Sequence, residues 1–332
     1  MMKKFLVLLS CILLGLFLIT TSSVAVERFV FSTMFPTSYT YLLEPAEDFC
    51  KKVEELSGGE IEFDFYHSAQ LYGGKEEFAA VSRGEVDLSI PHDTYHTGEV
   101  PELGITSLPF LFDDLDQAMY MLDLGLKDMI APILEEKQNC ILLGWAAVDP
   151  YQLYSKDPIN TIEDIKGKVW AISGTPAAKA IEQVGGSTTM MSSGELYLAL
   201  QTGTIDGALR PLLTGVGRKL DEVADYLTLV PRFQAWGDML VMNKDKWDRL
   251  SEEQQEILRK AARDWEYQVY YMSKMYIQDA VKRLVDRGMN VSYLSDEEME
   301  KFREKMEPVY EWWITEEVPD GQKYIDFVES NR

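Results

Sequence analysis

Apolar and polar residues alternate along the first third of the chain in a pattern that predicts strands and helices in turn. The predicted strands are 28–35, 60–66 and 86–90, and the predicted helices between them are 41–56 and 75–83. Gly58 and Gly59 end the first helix, as expected for residues that tolerate unusual backbone angles. This β-α-β-α-β order is typical of a parallel sheet flanked by helices.

The same alternation continues toward the C-terminus and ends in one very long helix. Its predicted elements are helix 115–137, strand 141–147, strand 168–172, helices 176–184 and 195–201, and strand 205–209. Thr161 and Asp164 form a capping box before a short turn, and Ser251 and Gln254 form another. From Ser251 to Arg287 there is no Gly or Pro. A helix of that length is unusual in a globular protein, so we expect it to span two lobes.

The N-terminal residues 1–25 predict a cleaved signal peptide. Lys3 and Lys4 precede an apolar run, and Ser23-Val24-Ala25 supplies the small residues that signal peptidase requires. A membrane anchor is the alternative, but the run is shorter than the roughly 20 residues that span a bilayer. A lipoprotein with Cys11 as its modified residue is a further alternative. We expect export to the periplasm and a mature chain without a membrane span.

Charge and composition exclude several classes of protein. The 332 residues carry a net charge of −23, which opposes binding to nucleic acid and to anionic lipid. Apolar residues make up 46% of the chain, enough for the cores of two ordinary domains. Any bound anion therefore needs a local positive group that acts against the overall field.

Residues that commonly perform catalysis or bind metal are few. No nucleophile elbow, phosphate-binding glycine loop or zinc-protease motif is present. His92 and His96 are four residues apart, but Pro91 and the threonines around them favour a loop, and no third metal ligand is evident. We therefore expect neither metal nor cofactor and no enzymatic activity. Cys50 and Cys140 are either two buried thiols or a disulfide.

Several segments, in this order, resemble the solute-binding proteins of tripartite ATP-independent periplasmic (TRAP) transporters, of the dicarboxylate-binding (DctP) type. They cover most of the mature chain, and the set is far more specific than any one segment. These segments are Leu71–Gly73, Val81–Asp87, Leu108-Pro-Phe-Leu-Phe112, Pro158–Ile159, Ile162–Lys168, Glu195–Gly207, Val241–Lys244 and Trp247–Leu250.

The resemblance implies an α/β fold with two lobes, like the type II periplasmic binding proteins. Each lobe is a mixed sheet flanked by helices, and the long C-terminal helix spans both. We assign residues 27–147 and 236–275 to lobe 1, and residues 148–235 and 276–332 to lobe 2. The ligand enters an open cleft between the lobes, which hinge shut around it.

The family arginine that binds a carboxylate is missing at its usual place. The matching position is Trp170 or Ala171, and the upstream arginine used by some members falls near Pro150. Instead, the cleft asparagine of the family is replaced by Arg210, whose planar fork suits a carboxylate. We therefore predict that Arg210 is the anionic anchor. The alternative is that Arg210 pairs with Asp206 or Glu195 and only braces its lobe.

Aromatic residues fall where the ligand loops of the family lie, and they favour an acid with an aromatic or bulky apolar body. We expect Trp170 and Trp236 to form walls, and Tyr95 and Tyr151 to donate hydrogen bonds. The remaining candidates are Thr37 and Ser38 at the cleft mouth, with Tyr39, Trp145 and Phe233.

The predicted function is capture of a small organic acid for delivery to the small and large membrane subunits of a TRAP permease. We expect a monomer. Three alternatives stay open: a binding protein of an ATP-driven importer, an exported hydrolase or lyase on the same fold, and a sensor domain that delivers its ligand to a receptor. The residues do not identify the ligand.

Overall fold

Two separate β-sheets organise residues 26–332, which are the residues that the computed structural model describes. The predicted signal peptide 1–25 lies outside this range. In chain order the strands are β1 (Glu27–Ser32), β2 (Ile61–Tyr66), β3 (Leu88–Ser89), β4 (Cys140–Ala147), β5 (Tyr151–Ser155), β6 (Val169–Ile172), β7 (Ser187–Met190), β8 (Gly207–Pro211), β9 (Tyr226–Leu229), β10 (Gly237–Asn243) and β11 (Asn290–Tyr293).

Helices flank both sheets. They are α1 (Thr40–Leu56), α2 (Glu77–Ser82), α3 (Leu115–Met121), α4 (Lys127–Gln138), α5 (Thr175–Gln183), α6 (Leu196–Thr202), α7 (Leu212–Gly217), α8 (Lys244–Trp247), α9 (Glu252–Asp286), α10 (Asp296–Lys305), α11 (Glu307–Trp312) and α12 (Gln322–Ser330). Short 3-10 turns lie at 93–96, 101–107, 162–165 and 220–222, and π-helical turns at 122–126 and 313–317. In this part of the chain, no helix combines the length and the apolar character that crossing a membrane requires.

The first sheet has the strand order β2-β1-β3-β10-β4. Strands β1, β2 and β3 are parallel, whereas β10 runs antiparallel to both of its neighbours, β3 and β4. One face of β1 carries Phe29 and Phe31, which are fully buried. The ring of Phe31 lies 6.0 Å from that of Phe49 on α1, in an edge-to-face contact that fixes the helix on this face.

The second sheet has the strand order β11-β9-β5-β8-β6-β7. Strand β5 is antiparallel to β8 and β9, and the other neighbouring pairs are parallel. Both sheets are therefore mixed. The expected two-lobed α/β class is confirmed, and its mixed character comes from one reversed strand within each sheet.

The chain passes between the sheets where β4 leads into β5 and where β9 leads into β10. The connecting segments are 148–150 and 230–236. Helix α9 packs on α1 and β4 of the first lobe and also on α7 and β11 of the second. The expectation of a helix that contacts both lobes is confirmed, and its capping box at Ser251 and Gln254 is present.

The C-terminal helices contact parts of both lobes. The carboxylate of Glu298 on α10 accepts a hydrogen bond from the N–H of Ile162 at 2.9 Å, in the second lobe. By contrast, the hydroxyl of Tyr310 donates to the carbonyl of Pro109 at 2.6 Å. Pro109 lies in the segment that follows β3 in the first lobe. The lobe boundaries proposed from the sequence stay a prediction.

Most predicted helix and strand boundaries shift by one to three residues, and two of the differences affect the path of the chain or the place of Arg210. The helix expected at 115–137 divides into α3 and α4, because Gly125 has a φ of 146°, which is not helical. The strand expected at 205–209 begins two residues later, so that Arg210 lies within β8. Strands β5, β7, β9, β10 and β11 were not predicted from periodicity; β7 and β11 are short edge strands with half-exposed side chains.

The packing around Gly207 generates a stability prediction. A Cβ atom at this position would lie 2.5 Å from the Trp170 ring and 2.7 Å from the carbonyl oxygen of Tyr154. We expect Gly207→Ala to lower the free energy of unfolding by about 1–3 kcal/mol, the usual cost of overpacking. Gly98→Ala is the control, since a Cβ there meets nothing within 4 Å. Urea unfolding of both variants measures the difference, and equal losses would contradict the packing argument.

Candidate functional site

The carboxyl ends of the parallel strands in the two sheets face each other across a closed cleft. Several polar contacts join the lobes there. The N–H of Ser193 donates to the hydroxyl of Tyr95 at 2.8 Å, and the N–H of Thr175 donates to Thr97 Oγ1 at 2.9 Å. At the rim, Ser38 Oγ donates to the carbonyl of Gly217 at 3.0 Å. The strand ends therefore place loops of both lobes within hydrogen-bonding distance.

Arg210 lies at the end of β8 and is only 1% exposed. Its Nη1 donates to the carbonyls of Leu209 (2.7 Å) and Ala171 (3.1 Å), and its Nη2 to those of Met191 (2.7 Å) and Ile172 (3.1 Å). Its Nε is buried and has no hydrogen-bond partner in the described part of the chain. These four backbone contacts hold the guanidinium across the ends of β6, β7 and β8.

Arg210 forms no ion pair in the part of the chain that the structure describes. Among residues 26–332, no carboxylate lies within 4.0 Å of its guanidinium nitrogens. Asp206 instead accepts from the N–H of Val169, and Glu195 from the N–H of Ser192. Arg210 therefore pairs with neither acid, although its four backbone contacts do brace the second lobe, as that alternative expected. The two Nη atoms also do not form a free fork for a carboxylate, because each already donates to two backbone carbonyls.

Four side chains next to Arg210 form a set of short contacts that we call the His92 cluster: His92, Thr94, Tyr151 and Ser173. His92 Nε2 lies 3.1 Å from the Tyr151 hydroxyl and 3.0 Å from Thr94 Oγ1. The Tyr151 hydroxyl lies 3.2 Å from Thr94 Oγ1 and 2.6 Å from Ser173 Oγ. The cluster joins the first lobe, through His92 and Thr94, to the second, through Ser173.

The surroundings of His92 keep it neutral. Burial lowers its pKa well below the usual value, and the nearby charge of Arg210 lowers it further, while the carbonyl of Gly237 opposes both. Burial also raises the pKa of Tyr151, and the Arg210 charge partly offsets this. Both groups feel the positive charge of Arg210. At neutral pH the imidazole and the phenol are therefore both uncharged.

Two buried carboxyls lie behind the imidazole of His92. Its Nδ1 is 3.6 Å from Asp93 Oδ1 and 3.7 Å from Asp238 Oδ1. Burial raises the pKa of Asp93 to about 7, partly opposed by Thr106, Gly237 and Trp145. Burial also raises that of Asp238, together with the charges of Asp93 and Glu77.

Trp236 and Tyr95 enclose the imidazole, as expected of cleft residues. The Trp236 ring centre lies 4.1 Å from that of His92, and the Tyr95 ring centre lies 4.7 Å from it. Trp236 Nε1 is buried and has no partner among the described residues. Together with Arg210 and Tyr151, these residues form the group that the sequence analysis selected and the structure brings together.

Three other predicted site residues lie in packed interiors instead. Trp170 is buried against Gly207 and donates from Nε1 to the carbonyl of Ile165. Phe233 stacks on Phe302 at 4.6 Å, beneath the C-terminal helices. Trp145 is fully buried, and its Nε1 donates to Asp93 Oδ2 at 3.2 Å, behind the His92 cluster.

The predicted residues of the first loop lie at the rim of the cleft. Thr37 and Ser38 are exposed, whereas Tyr39 is buried with its hydroxyl unpartnered among residues 26–332. The Tyr39 ring lies 5.4 Å from the guanidinium carbon of Arg218, a residue not selected from the sequence. Arg218 in turn donates from Nε to Ser193 Oγ at 3.2 Å.

Sequence reasoning missed His92, Thr94 and Ser173 as site residues. His92 was weighed only as a metal ligand, and its neighbour Thr94 only as a loop residue. A usable signal was present, since His92 and Thr94 follow predicted strand 86–90, and Ser173 follows predicted strand 168–172. In open α/β sheets, the residues just beyond the carboxyl ends of strands form the ligand crevice.

Metal and thiol chemistry have no evident place at this site. Within residues 26–332, no three His, Cys, Asp or Glu side chains are grouped so as to hold a metal ion. Cys50 and Cys140 are unpaired and buried, which confirms the two-thiol interpretation over a disulfide. Burial raises the pKa of Cys140 to about 12, so its reactive thiolate is scarce at neutral pH.

Comparisons with known proteins agree on one family. The model of the bacterial extracellular solute-binding protein family 7 (DctP) matches residues 31–316. A solute-binding protein of Chromohalobacter salexigens is 29% identical over 276 residues, covering 81% of this chain and 80% of that protein. The sialic acid-binding periplasmic protein SiaP of Vibrio cholerae is 28% identical over 264 residues, covering 78% of this chain and 79% of that protein.

Solved structures show the same architecture. A TRAP periplasmic solute-binding protein from Chromohalobacter salexigens, with bound D-glucuronate, superposes with a TM-score of 0.85 at 26% identity, covering 92% of this chain and 100% of that one. One from Sulfitobacter, with bound β-D-galacturonate, gives 0.85 at 25% identity with the same coverage.

Asp149, in the connection between β4 and β5, generates a pH prediction. Burial raises its pKa to about 8, partly opposed by the N–H groups of Leu213 and Leu212, which donate to it. The folded state then keeps a proton that the unfolded state loses above about pH 4, so this carboxyl lowers stability as pH rises from about 4 to 8.

We expect Asp149→Asn to be more stable than the wild type at pH 8, by up to a few kcal/mol, and to show a much smaller difference at pH 5. The amide oxygen still accepts from the two N–H groups, so the fold is retained. Urea unfolding at both pH values measures the effect. A difference that stays constant between pH 5 and pH 8 would show that this carboxyl does not titrate abnormally.

Proposed function

Because the chain belongs to the bacterial extracellular solute-binding protein family 7, we propose that it captures a small organic acid in the cleft and passes it unaltered to a TRAP membrane permease. The two-lobed fold and the closed cleft between its sheets support this role. Export through the predicted signal peptide 1–25 would place the protein in the compartment where such ligands are captured.

The single observation that carries the proposal is the buried, unneutralised charge of Arg210. Placing a cation in a dry interior costs several kcal/mol unless an opposite charge accompanies it. Since no carboxylate of residues 26–332 pairs with this guanidinium, an anionic ligand supplies the missing charge. The net charge of −23 makes this local cation the more significant, because the rest of the protein repels anions.

Three hydrogen-bond donors at the cleft suit a carboxylate. Arg210 Nε and Trp236 Nε1 are buried N–H groups without partners in the described chain. The hydroxyl of Tyr95 accepts from the N–H of Ser193, so its own proton is available to a ligand. A carboxylate offers four lone-pair sites and can accept from all three donors.

The related proteins support a carboxylate ligand. Glucuronate, galacturonate and sialic acid, which occur in the names of the relatives and structures compared above, are all acids. That the ligand has an aromatic or bulky apolar body, as the sequence favoured, stays a prediction. Its support is reduced, because Trp170, Trp145 and Phe233 lie outside the group around Arg210.

Release requires the lobes to separate about the two connecting segments, 148–150 and 230–236. Outside the ligand site, contacts at the rim keep the lobes together: Lys75 Nζ donates to the carbonyl of Met190 at 3.0 Å and lies 3.5 Å from Glu195 Oε2. Such exposed ion pairs contribute about 0–1 kcal/mol each, so opening remains accessible. A permease that binds the open form more tightly than the closed form would shift the protein toward the open form and so release the ligand.

Arg210→Met tests the proposed anchor. We expect the variant to lose the stabilisation that acids give to the wild type, because both the charge and the Nε donor are removed. A ligand at 100 times its dissociation constant adds about 2.7 kcal/mol to the free energy of unfolding. Thermal unfolding with D-glucuronate, succinate and a panel of other acids measures this shift.

Since Arg210 also binds four carbonyls, the variant is first compared with the wild type without ligand by urea unfolding and circular dichroism. Arg210→Lys keeps the charge and should retain weakened binding, and exposed Arg83→Met serves as a control with unchanged binding. Undiminished acid binding by a folded Arg210→Met variant would contradict the proposal that Arg210 binds the carboxylate. A product formed from the acid during incubation would contradict transport without chemical change.

A further inference from the structure

A cavity of about 330 Å³ lies against the two segments that connect the lobes, and we call it the hinge cavity. Residues 112–115 of the first lobe form one part of its wall, and residues of both connecting segments, 148–150 and 230–236, form another. The apolar side chains in this wall are Phe112, Leu115, Pro150, Pro231 and Ala235. The lining shares no residue with the group around Arg210, so the cavity is separate from the cleft site. Its volume is typical of the smaller pockets that bind organic molecules.

The two connecting segments are hydrogen-bonded to each other beside this cavity. The N–H of Val148 donates to the carbonyl of Trp236 at 3.0 Å, and the N–H of Tyr151 donates to the carbonyl of Gln234 at 3.2 Å. The segments therefore form one paired unit. Because opening of the lobes requires backbone rotations within this unit, the residues that it places in the cavity wall would shift relative to residues 112–115.

The backbone of Arg232 shows that this wall is suited to change. Arg232 lines the cavity and has a φ of 62°, which a residue with a Cβ atom seldom adopts. Its Nη1 lies 3.5 Å from Asp113 Oδ1 on the wall that the first lobe supplies. Backbone strain of this kind is concentrated at switch regions and ligand clamps. A molecule that fills the cavity in the closed form would therefore not fit the open form equally well.

One buried acceptor in the lining has no partner. Gln234 is only 2% exposed, and its Nε2 donates to the carbonyl of Ser107 at 2.6 Å. Since a carbonyl can only accept, this bond fixes the orientation of the amide and leaves Oε1 as the free end. Oε1 is buried and has no hydrogen-bond partner among residues 26–332. A ligand that donates a hydrogen bond would satisfy this oxygen.

The charged residues of the lining give the cavity a negative balance. Asp113 and Asp114 both line it, and among its lining residues Arg232 supplies the single positive charge. Asp114 Oδ1 accepts from the N–H of Gln117, but this carboxylate forms no ion pair in the described part of the chain. An apolar wall, an unsatisfied acceptor and a surplus carboxylate are together complementary to an ammonium group on an apolar body, since an ammonium carries three donors.

We propose that the hinge cavity binds a small amine with an apolar body, and that this amine stabilises the closed form. The body packs on the apolar wall, the ammonium donates to Gln234 Oε1, and the carboxylates of Asp113 and Asp114 attract it. An effector that prefers the closed form raises the affinity for the acid in the cleft, and the acid raises the affinity for the amine by the same factor. This coupling rests on the proposed function, whereas binding of the amine does not.

Isothermal titration calorimetry of the wild type without acid tests the site. The probes are 2-phenylethylamine and 2-phenylethanol, which share one body and differ in the ammonium group. Neither has a carboxylate that would direct it to Arg210. We expect the amine to bind at least about tenfold more tightly, because hydrogen bonds to a charged donor are the stronger ones. Equal affinities, or no binding of the amine at millimolar concentration, would overturn the inference.

Two variants locate the amine. Asp114→Asn keeps the Oδ1 that accepts from Gln117 and removes the charge, so the amine should bind about two- to fivefold more weakly while the alcohol is unaffected. Ala235→Leu fills part of the cavity and should weaken both probes. The control is Asp128→Asn, an exposed acid in the first turn of α4, which should change neither affinity. Unchanged amine affinity in a folded Asp114→Asn or Ala235→Leu variant would contradict the assigned site.

The coupling is measured with whichever acid of the panel described above stabilises the protein. Saturating 2-phenylethylamine should raise the affinity for that acid at least about fivefold in the wild type and leave it unchanged in Ala235→Leu. An unchanged affinity in the wild type would refute stabilisation of the closed form, and a lowered one would place the amine in the cleft as a competitor.

Small-angle X-ray scattering gives a measurement of closure that needs no acid. We expect 2-phenylethylamine to lower the radius of gyration of the wild type but not of Ala235→Leu, and an unchanged wild-type radius would count against the coupling. If no acid of the panel binds, the proposed function fails, whereas calorimetry and scattering with the amine still decide this inference.

Discussion

An arginine charge that has no counterion among residues 26–332, buried where the ends of three strands meet, is the constraint on which the rest of the site depends. Arg210 is held by four backbone carbonyls from β6, β8 and the residue after β7, so its position is set by the second sheet. Those carbonyls satisfy its N–H groups but do not cancel its charge. The residues opposite it, on the first lobe, are neutral at physiological pH, and burial with the Arg210 field explains why His92 stays so.

The two lobes contribute different chemistry to the cleft. The second lobe supplies the cation and Ser173, and the first supplies His92, Thr94 and the aromatic rings of Tyr95 and Trp236. Neither lobe alone forms this set of contacts, because those around Tyr151 join side chains from both. Under the proposed function, ligand recognition and lobe closure would therefore be one event, which is the property that a capture-and-release protein needs.

The carboxyls beneath the cleft show how far burial changes ordinary acids. Asp93 and Asp238 lie close to Nδ1 of His92, and their raised pKa values reflect an interior that disfavours negative charge. Such an interior also disfavours an unpaired cation. Arg210 nevertheless lies in such an interior, where four backbone carbonyls accept from its two Nη atoms.

Much of the fold could be predicted from the sequence. Periodicity located helix α1, strands β1, β2, β4 and β6, and the capped helix α9, because these elements are long or have one clearly buried face. Edge strands β7 and β11 have half-exposed faces and gave no such signal. Strand β5 was also missed, although it carries Tyr151, since five buried residues show no alternation.

By itself the sequence determined the class of protein and its two-lobed α/β fold, and it selected Arg210 as a candidate, because motif order and residue replacement are properties of the chain alone. Only the tertiary structure decided that backbone carbonyls accept from both Nη atoms of Arg210, which aromatic rings pack on His92, and that His92 contacts Tyr151. The reason is physical. Hydrogen-bond partners and burial depend on residues distant in the chain, such as Arg210 and Met191 or His92 and Tyr151, and no local pattern encodes their separation.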